Sequence, residues 1–364
     1  MNLVWFSEVK WTYLRTRKQH LLSRFPANDK ILFIQPFSLR GANSFFPKRD
    51  GNVTFVTIPT FRKSKWNWFN QLFEQNWFRF LFFAIIKIWV KLIVQIAMKK
   101  VNSWIISDVY YLPVLEKLQG NKIWDLNDDP EQFGEKPNWV MRNFRQFCND
   151  KNHKIIASSQ LFSEKIKQEF HRKSIVIPNG VELDLFRKSR NAKTIKKSKI
   201  FGYVGVISDW FFDFELVEKM AEKFPDFEIH LIGPKSSGIS SQMESIQQLQ
   251  NVKFFDAVDY DKLPTLLQTF RVGIIPLKNS PKVRQVSSGK FLQYLAAGLP
   301  TVSAYFEQYE SFSEFVYLSN SHDEFLQNIE KAALDDTESY DELLEKFDWD
   351  ILSKTFCDEV KNEK

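Results

Sequence analysis

The stretch SSGKFLQYLAAGLPTVS, Ser287 to Ser303, places a short helix between a polar loop and a buried strand. Gly289 lets a ligand approach the helix start closely, and Ser288 is a candidate cap. Unpaired N–H groups, a glycine and a lysine together are typical of an anion site. Lys290 and Gln293 share one helix face, so we expect Lys290 to contact phosphate and Gln293 to contact hydroxyl groups. The alternative is an ordinary capped helix with a solvated lysine.

The composition is that of a globular protein large enough for two domains. The chain has 364 residues, of which 44% are hydrophobic and 26% charged, but its aromatic content of 16% is high. The net charge of +6 suits phosphates or an anionic membrane without identifying either. Cys148 and Cys357 have neither metal-ligand spacing nor a disulfide pattern, which favours a reducing cytosol. The start, MNLVWFSEVKW, does not have the pattern of a signal peptide.

Short apolar runs alternate with helix-like stretches along the whole chain. In the first half, a helix is predicted over 8–25 and strands at NLVWFS, ILFIQP, NVTFVTIP, SWIISD, KIWDLND, KIIASS and SIVIPNG. In the second half, strands are predicted at IFGYVGVIS, FEIHLIGP, VKFFDAV, VGIIPL, PTVSAY and FVYLS. This alternation predicts an α/β protein with two Rossmann-like, doubly wound parallel sheets. Ligands of such sheets bind at the strand carboxyl ends, so we expect a site in the cleft between the domains.

Three segments are predicted on this basis. Residues 1–187 form an N-terminal Rossmann-like domain, and residues 188–345 form a C-terminal one. Residues 346–364 form a helix that crosses back to the N-terminal domain. The basic stretch RKSRNAKTIKKSK, Arg187 to Lys199, is poor in apolar residues and predicts the linker.

Three further loops of the second half follow predicted strands. Gly202 and Gly205 stand in GYVGVISDW, and Gly233 ends the next strand. These glycines allow close approach of backbone to a phosphate or sugar, with tight packing as the alternative. Val258 follows the third strand, where the backbone can pair with the edge of a base. All of these loops lie at carboxyl ends of one predicted sheet, as does Lys290.

Four stretches resemble glycosyltransferases of the GT-B fold: GYVGVISDWFFDFELVEKMAEKFPDFEIHLIGP, IPNGVELDLF, DKLPTLLQTFRVGIIPL and GKFLQYLAAGLPTVS. Within that fold they are similar to the bacterial polysaccharide group that includes the teichuronic acid glycosyltransferases and the xanthan glucuronosyltransferase. The resemblance implies that Lys290 binds the donor diphosphate and Gln293 the ribose. Many retaining members carry a spaced pair of glutamates where this chain has Gln285 and Gln293. That departure agrees with the xanthan enzyme and implies inversion.

The stretch WDLNDDPEQF places Asp125, Asp128 and Asp129 directly after a predicted strand. An inverting transfer needs a base that takes the proton of the acceptor hydroxyl, and the resemblance puts a catalytic aspartate in this domain. Asp128 is the first candidate and Asp129 the second. Turn formation before Pro130 is one alternative, and Mg²⁺ binding is another. The resemblance implies that a helix terminus and a lysine act in place of metal, so we expect no metal and no cofactor beyond the nucleotide-sugar substrate.

The stretch SEVKWTYLRTRKQH follows the first predicted strand and is expected to face the acceptor. Trp11, Arg15 and Arg17 are the candidate acceptor-side residues, and Arg17 can hold a phosphate or a carboxylate. The alternative is a solvated basic helix face. His20 and His153 are expected to be surface or cap residues.

The segment 65–100 is rich in aromatic and apolar residues. Lys87, Lys91 and Gln95 recur every four residues and predict one polar stripe on a helix, which argues against a membrane span. Residues 61–100 hold eight Lys or Arg and one acidic residue, Glu74. This pattern favours a helix that lies in the surface of an anionic bilayer, and a core helix packed on the sheet is the alternative.

These features predict a cytoplasmic enzyme, peripheral on the inner face of the cytoplasmic membrane. It would move a sugar from a nucleoside diphosphate, expected to be a UDP-sugar, to a lipid-linked or growing polysaccharide acceptor. No nucleic-acid partner is expected. One alternative is a GT-B-fold nucleotide-sugar epimerase, which needs additional acid and base groups in the second domain. The other is a non-catalytic nucleotide-sugar-binding partner in an assembly complex, which would keep Lys290 and Gln293 but lack a carboxylate facing the cleft.

Overall fold

The chain forms two compact units in the computed structural model. The first comprises residues 1–178 together with 350–364, and the second comprises 179–349. The structure describes residues 1–39, 42–61, 66–115, 118–131, 135–188, 190, 192–235, 241–284, 289–335 and 340–362.

The first unit is built on one sheet with helices packed against it. Its strands are β1 Asn2–Phe6, β2 Lys30–Gln35, β3 Lys48–Asp50, β4 Val53–Thr57, β5 Ser103–Ile106, β6 Asn121–Leu126, β7 Lys154–Ala157 and β8 Ile175–Val176. Its helices are α1 Arg17–Leu22, α2 Asn67–Glu74, α3 Asn76–Met98, α4 Leu112–Leu115, α5 Asn138–Asn149 and α6 Gln160–Phe170, with a 3₁₀ turn at Val109–Tyr111. The strand order is β3-β4-β2-β1-β5-β6-β7-β8. Every neighbouring pair is parallel except β3 with β4.

The second unit repeats this architecture on a six-stranded sheet. It begins with the helices α7 Leu183–Arg187 and α8 Ala192–Lys197. The strands are β9 Ile200–Val204, β10 Glu228–Ile232, β11 Val252–Phe255, β12 Val272–Ile275, β13 Thr301–Ala304 and β14 Tyr317–Ser319, all parallel in the order β11-β10-β9-β12-β13-β14. The remaining helices are α9 Phe214–Lys223, α10 Ser241–Gln247, α11 Leu263–Leu267, α12 Pro281–Arg284, α13 Lys290–Ala296, α14 His322–Ala332 and α15 Asp341–Glu345, with 3₁₀ turns at Tyr260–Lys262 and Glu307–Phe312.

The apolar runs become strands because both faces of each parallel sheet are covered. β5 and β12 are buried along their whole lengths, as continuous runs such as SWII and VGII predict. Every predicted strand is present. The additional strand β3, with the sequence KRD, is exposed throughout, so it carries no apolar pattern from which it could be predicted.

The predicted helix over 8–25 is wrong in extent, because only Arg17–Leu22 is helical. The residues before it form a loop that folds back on the sheet, with the backbone N–H of Trp11 donating to the Gln35 side chain at 2.9 Å. Thr16 directly precedes the helix, and its backbone N–H and hydroxyl both donate to the Gln19 side chain.

The stretch 187–199 differs from the predicted linker. Part of it is helix α8, whose Ile195 is buried in the core of the second unit. The chain passes into the second unit after Pro178, because Val181, Leu183 and Phe186 are buried in that same core. These four apolar residues are enough to fix the segment to the second unit, because each of them is buried.

The last helix, α16 Trp349–Lys361, packs almost entirely on the first unit. Phe356 stacks on Trp5 of β1 with ring centroids 5.5 Å apart. The Ser353 hydroxyl donates to the carbonyl of Leu21 at 2.8 Å, and the Ser103 hydroxyl donates to the carbonyl of Val360 at 3.1 Å.

Candidate active site

The donor-side candidates of the second unit meet at the carboxyl ends of β9 and β10. Gly205 follows β9, and its N–H donates to the carbonyl of Ile232 at 2.9 Å. A Cβ added to Gly205 would lie 2.2 Å from Cε and 3.1 Å from Nζ of Lys290. A Cβ added to Gly233 would lie 2.1 Å from the carbonyl oxygen of Gly205. Gly205 therefore leaves room for the Lys290 side chain, and Gly233 leaves room for the backbone of Gly205.

Lys290 and Gln293 share the partly exposed face of α13, as predicted. The remaining residues of α13 are all buried: Phe291, Leu292, Tyr294, Leu295 and Ala296. The Lys290 Nζ lies 5.8 Å from the centroid of the Tyr203 ring. Burial lowers the pKa of Lys290 to about 8, because the charged form loses solvent. A phosphate anion beside Nζ would compensate for that lost solvation.

Two buried tyrosines hold this edge of the sheet. The Tyr294 hydroxyl accepts the backbone N–H of Val204 at 2.9 Å, and the Tyr203 hydroxyl donates to the carbonyl of Val206 at 2.9 Å. Burial raises the pKa of both hydroxyls, so they remain neutral. Gly202 has a packing role instead of a ligand role, because a Cβ there would lie 2.1 Å from the Phe270 ring.

Gly289 precedes α13 with φ −90° and ψ 8°. A Cβ added to Gly289 would have Asn179 as its nearest neighbour, at 3.5 Å. Packing within the chain therefore does not require a glycine at this position. Ser288, Ser287 and Gln285 lie outside the described residues. Val258 follows β11 and is partly buried against the core of the second unit.

In the first unit, Asp128 belongs to a charged cluster at the carboxyl ends of β1 and β6. Lys18 of α1 is buried, and its Nζ lies 2.5 Å from Oε1 of Glu8. The Ser107 hydroxyl after β5 donates to the other carboxylate oxygen of Glu8 at 2.8 Å. Asn127 donates to Oδ2 of Asp128 at 2.8 Å. This cluster joins three neighbouring strands of one parallel sheet.

The charges of the cluster shift one another's protonation. Burial raises the pKa of Asp128 to about 6, with Lys18 opposing the rise and Glu8 adding to it. Burial alone would lower the pKa of Lys18, but Glu8 and Asp125 outweigh it and hold that pKa above its ordinary value. A carboxylate with a pKa of about 6 is ionised at neutral pH and more basic than an ordinary aspartate, which suits a general base.

Asp125 and Arg17 form a buried ion pair. The Arg17 Nε lies 3.1 Å from Oδ1 of Asp125, and its NH1 donates to the carbonyl of Pro178 at 2.7 Å. Its Cζ also lies 5.8 Å from the Phe356 ring centroid. The acceptor role of Arg17 stays a prediction: its guanidinium is buried in this pair, and its second terminal nitrogen has no hydrogen-bond partner among the described residues.

Trp11 is also buried, and its indole N–H donates to Asp50 at 2.8 Å. This contact uses the hydrogen-bond donor of the Trp11 side chain, and the acceptor role of Trp11 stays a prediction. Arg15 is exposed on the loop before α1. His20 is buried rather than on the surface, and burial together with Arg15 and Arg24 holds its pKa well below the ordinary value. His153 is half-buried and stacks on Phe147 at 4.1 Å.

Asp129 serves the turn that follows β6. It accepts the backbone N–H of Glu131 at 2.8 Å and pairs with Lys165. These contacts favour the turn alternative for Asp129 and leave Asp128 as the carboxylate of this loop that is only partly buried. Among the described residues, no three His, Cys, Asp or Glu side chains are grouped to hold a metal ion.

Lys18 is the residue of this cluster that sequence reasoning missed. Arg15 and Arg17 were expected at the acceptor, with a solvated basic face as the alternative, yet all six residues of α1 are buried. A signal was present in Glu8, which follows the first strand immediately and lies ten positions before Lys18 in the sequence. Only the tertiary fold brings these two residues to Asp128.

Helix α3 carries an exposed apolar surface. Leu81, Ile85, Ile88, Leu92 and Ile96 are each more than half exposed, and we call them the α3 apolar strip. The opposite face is buried in the core through residues such as Ile86, Val90 and Ile93. By length and composition α3 could cross a membrane, with a mean hydropathy of 2.1 over an 18-residue window that is 28% buried.

No family model matches the sequence. TuaH of Bacillus subtilis (strain 168), named as a teichuronic acid biosynthesis glycosyltransferase, is 26% identical over 156 residues. That match covers 41% of this chain and 39% of TuaH, so it spans less than half of the relative's length.

Solved structures match over the whole chain. A trehalose-6-phosphate structure from E. coli, bound with UDP-2-fluoro glucose, has a TM-score of 0.65 at 14% identity and covers 100% of this chain and 99% of its own. The α,α-trehalose-phosphate synthase (UDP-forming) of Burkholderia vietnamiensis has a TM-score of 0.65 at 12% identity, covering 99% and 100%. This chain has the GT-B fold.

Anabaena HepE in complex with UDP and glucose shares the GT-B fold, with a TM-score of 0.63 at 15% identity over 100% of this chain and 96% of its own. The predicted fold class and the resemblance to GT-B glycosyltransferases are thus confirmed. In this GT-B chain, Lys290 and Gln293 stand at the carboxyl edge of the second sheet, and Asp128 stands at the carboxyl edge of the first.

Proposed function

We propose that this GT-B chain is a glycosyltransferase that takes its sugar from a UDP-sugar. The observation that carries the proposal is the desolvated Lys290, whose side chain lies against Gly205 at the carboxyl edge of the second sheet. HepE, which has the same fold, binds UDP in its solved complexes. TuaH, which matches part of the chain, is named as a glycosyltransferase.

Each donor-side residue has a role that fits its position. Lys290 supplies a positive charge to the diphosphate, and its low pKa means that a bound anion would stabilise its protonated form. Gln293 follows on the same partly exposed helix face and can hydrogen-bond to the ribose. A Cβ at Gly289 would make only ordinary contacts within the chain, so a role for this glycine beside a bound phosphate is part of the proposal.

Asp128 is the proposed general base. It would take the proton of the acceptor hydroxyl as that oxygen forms a bond to the anomeric carbon, while the UDP phosphate leaves with the bonding electrons. Its raised pKa and its partial exposure both support this role. Lys18 and Glu8 would act as positioning residues that hold Asp128 and set its basicity.

Inversion and independence from metal are further parts of the proposal. Gln285 and Gln293 replace the glutamate pair of retaining relatives, and a single displacement inverts the anomeric carbon. A trehalose-6-phosphate synthase with the same fold at 14% identity is described as transferring with retention. Lys290 supplies positive charge for the leaving phosphate, so no metal and no other cofactor is proposed.

A lipid-linked or growing polysaccharide acceptor completes the proposal. The α3 apolar strip would rest on the inner face of the cytoplasmic membrane, with the chain peripheral to it. Its buried opposite face supports this arrangement over a membrane span, because six residues of α3 already pack in the core of the first unit.

A panel of UDP-, GDP-, dTDP- and CMP-sugars in a thermal-shift assay tests the donor. A ligand at one hundred times its Kd should stabilise the protein by about 2.7 kcal/mol. Absence of stabilisation by all four classes would exclude a nucleotide-sugar site. Stabilisation without sugar transfer to any lipid-linked acceptor would favour the non-catalytic binding partner.

A further inference from the structure

A cavity of about 230 Å³ lies between α3 and α5 in the first unit. Its lining includes Arg79, Phe80 and Lys87 of α3 and Trp139 and Arg142 of α5; we call it the α3 cavity. The volume is several times the roughly 30 Å³ of one liquid water, so it can admit a phosphate group.

The α3 cavity is strongly cationic. Arg79, Lys87 and Arg142 line it, and none of its described lining residues is acidic. Burial lowers the pKa of Arg79; Glu74 opposes this effect and the nearby charge of Arg142 adds to it. An anion in the cavity would relieve both the desolvation and the repulsion between the two arginines.

The two arginines differ in how firmly they are held. Arg79 donates to the carbonyl of Phe73 and to the Asn76 side chain, and its Cζ lies 5.3 Å from the Trp139 ring centroid. Arg142 is exposed, and over the described ranges its side chain has no hydrogen bond or ion pair. Arg79 is thus held in place by its contacts, whereas the N–H groups of Arg142 can donate to a ligand.

Trp139 is a second, independent observation that points to a ligand. It lines the cavity and is 5% exposed, and its indole nitrogen is buried without a hydrogen-bond partner in the part of the chain that the structure describes. A buried donor left without an acceptor costs about 1–3 kcal/mol, so such donors normally have partners.

The cavity is continuous with exposed apolar surface. Phe80 lines it and is 79% exposed, and Leu81, the first residue of the α3 apolar strip, follows directly. A phosphate in the cavity could therefore carry hydrocarbon chains that lie along the strip. A free phosphate or a polar nucleotide would make no use of this apolar surface.

We propose that the α3 cavity binds the phosphate headgroup of an anionic membrane phospholipid, whose acyl chains extend over the α3 apolar strip. Arg142 and Lys87 would bind the phosphate oxygens, and Arg79 would supply fixed positive charge. This proposal rests on the proposed membrane contact and turns it from a general attraction into one defined lipid site.

Isothermal titration with dihexanoyl phosphatidylglycerol, below the concentration at which it aggregates, tests the site without a membrane. Arg142→Gln should weaken binding about tenfold to a hundredfold, as expected for loss of a charge-assisted hydrogen bond. Lys99→Gln removes the same charge from an exposed position twelve residues beyond Lys87. That is about 18 Å along the helix at 1.5 Å per residue, so affinity should change little.

Other outcomes would overturn the proposal. Equal affinity for inorganic phosphate would make this a phosphate site rather than a lipid site. Equal weakening by Arg142→Gln and Lys99→Gln would indicate surface charge alone, as would undetectable binding of the short-chain lipid. Lys87→Gln provides a second test if Arg142→Gln fails to fold.

Failure of this site can be separated from failure of the proposed function. Sedimentation of the wild-type protein with vesicles that contain phosphatidylglycerol tests membrane contact by itself. Stabilisation by a UDP-sugar tests the donor site, and Arg142→Gln should leave it unchanged because Lys290 belongs to the other unit.

Discussion

Lys290 lies at the edge of the second sheet and has a lowered pKa. Its contact with phosphate can be tested by comparing the affinities for UDP and uridine. Lys290→Ala should weaken UDP binding about tenfold to a hundredfold, because a charge-assisted contact to phosphate contributes roughly 1.5–3 kcal/mol. Uridine binding should hardly change. Gln293→Ala is the matched variant and should weaken both ligands. Titration calorimetry distinguishes these patterns, and equal losses for UDP and uridine with Lys290→Ala would contradict phosphate contact.

The pKa of Lys290 also predicts how donor affinity depends on pH. The unbound lysine loses its proton near pH 8, whereas a bound diphosphate should raise its pKa. Affinity for a UDP-sugar should therefore be constant below pH 8 and fall as the pH rises above it. Lys290→Arg should remove the fall, since arginine stays charged. A flat profile of Kd against pH in the wild type would argue against this contact.

Asp128 should matter for turnover and not for folding. Asp128→Asn should lower kcat about a hundredfold to ten-thousandfold, while donor affinity barely changes. The pKa of Asp128, about 6 against an ordinary 3.8, means that the folded state holds this proton more tightly than the unfolded state. The contribution of Asp128 to the free energy of unfolding is lost as the pH rises from 3.8 to about 6. At pH 7.5 no such contribution is left, so Asp128→Asn should not lower Tm.

Asp129→Asn is the control for that experiment. It should mainly reduce stability, because the pair with Lys165 is lost.

Asp128 should also set the pH dependence of the wild type, whose kcat/KM should fall as the pH drops below about 6. Near-normal turnover in a folded Asp128→Asn protein would place the base elsewhere.

At the scale of the element, α3 has two apolar faces and only one of them is packed. Ile88→Asp together with Leu92→Asp should abolish sedimentation with anionic vesicles, since burying each such side chain contributes about 1.5–3 kcal/mol. The fold should tolerate both changes because both side chains are exposed. Val90→Asp, on the buried face, should instead unfold the first unit. Unchanged vesicle binding in the double variant would favour a helix that serves only the core.

Basic residues near this helix should make vesicle binding sensitive to salt. Lys99→Glu and Lys100→Glu, combined with the same change at Lys63 and Lys65, should weaken binding without unfolding the chain. Lys63 and Lys65 lie outside the described residues, whereas Lys99 and Lys100 are exposed at the end of α3.

At the scale of the whole molecule, the end of the chain completes the unit in which the chain begins. Phe356 is fully buried and stacks on Trp5, so Phe356→Ala should cost about 3–5 kcal/mol of unfolding free energy. Ile351→Ala, exposed on the same helix, should change stability by less than about 0.5 kcal/mol. Denaturant unfolding measures both values, and equal effects would contradict this packing of α16.

The sequence predicted those properties that depend on neighbours close in the chain. The apolar runs predicted every strand except β3, whose three exposed residues have no pattern. The spacing of Lys290 and Gln293 predicted their common face, because helical geometry alone decides it. Lys87, Lys91 and Gln95 predicted a polar stripe for the same reason, and each of them is at least partly exposed.

Other properties depend on contacts between residues far apart in the chain. Arg17 looks like Arg15 in sequence, yet it is buried against Asp125, which lies 108 positions away. Asp128 and Asp129 are adjacent, but Lys165 pairs with Asp129, while burial and Glu8 raise the pKa of Asp128 against the opposing charge of Lys18. The sequence by itself determined the alternation of strands and helices and the face on which each residue lies. Only the tertiary structure decided which charges are paired, buried or open to a ligand, because desolvation and charge pairing depend on neighbours that the chain order does not reveal.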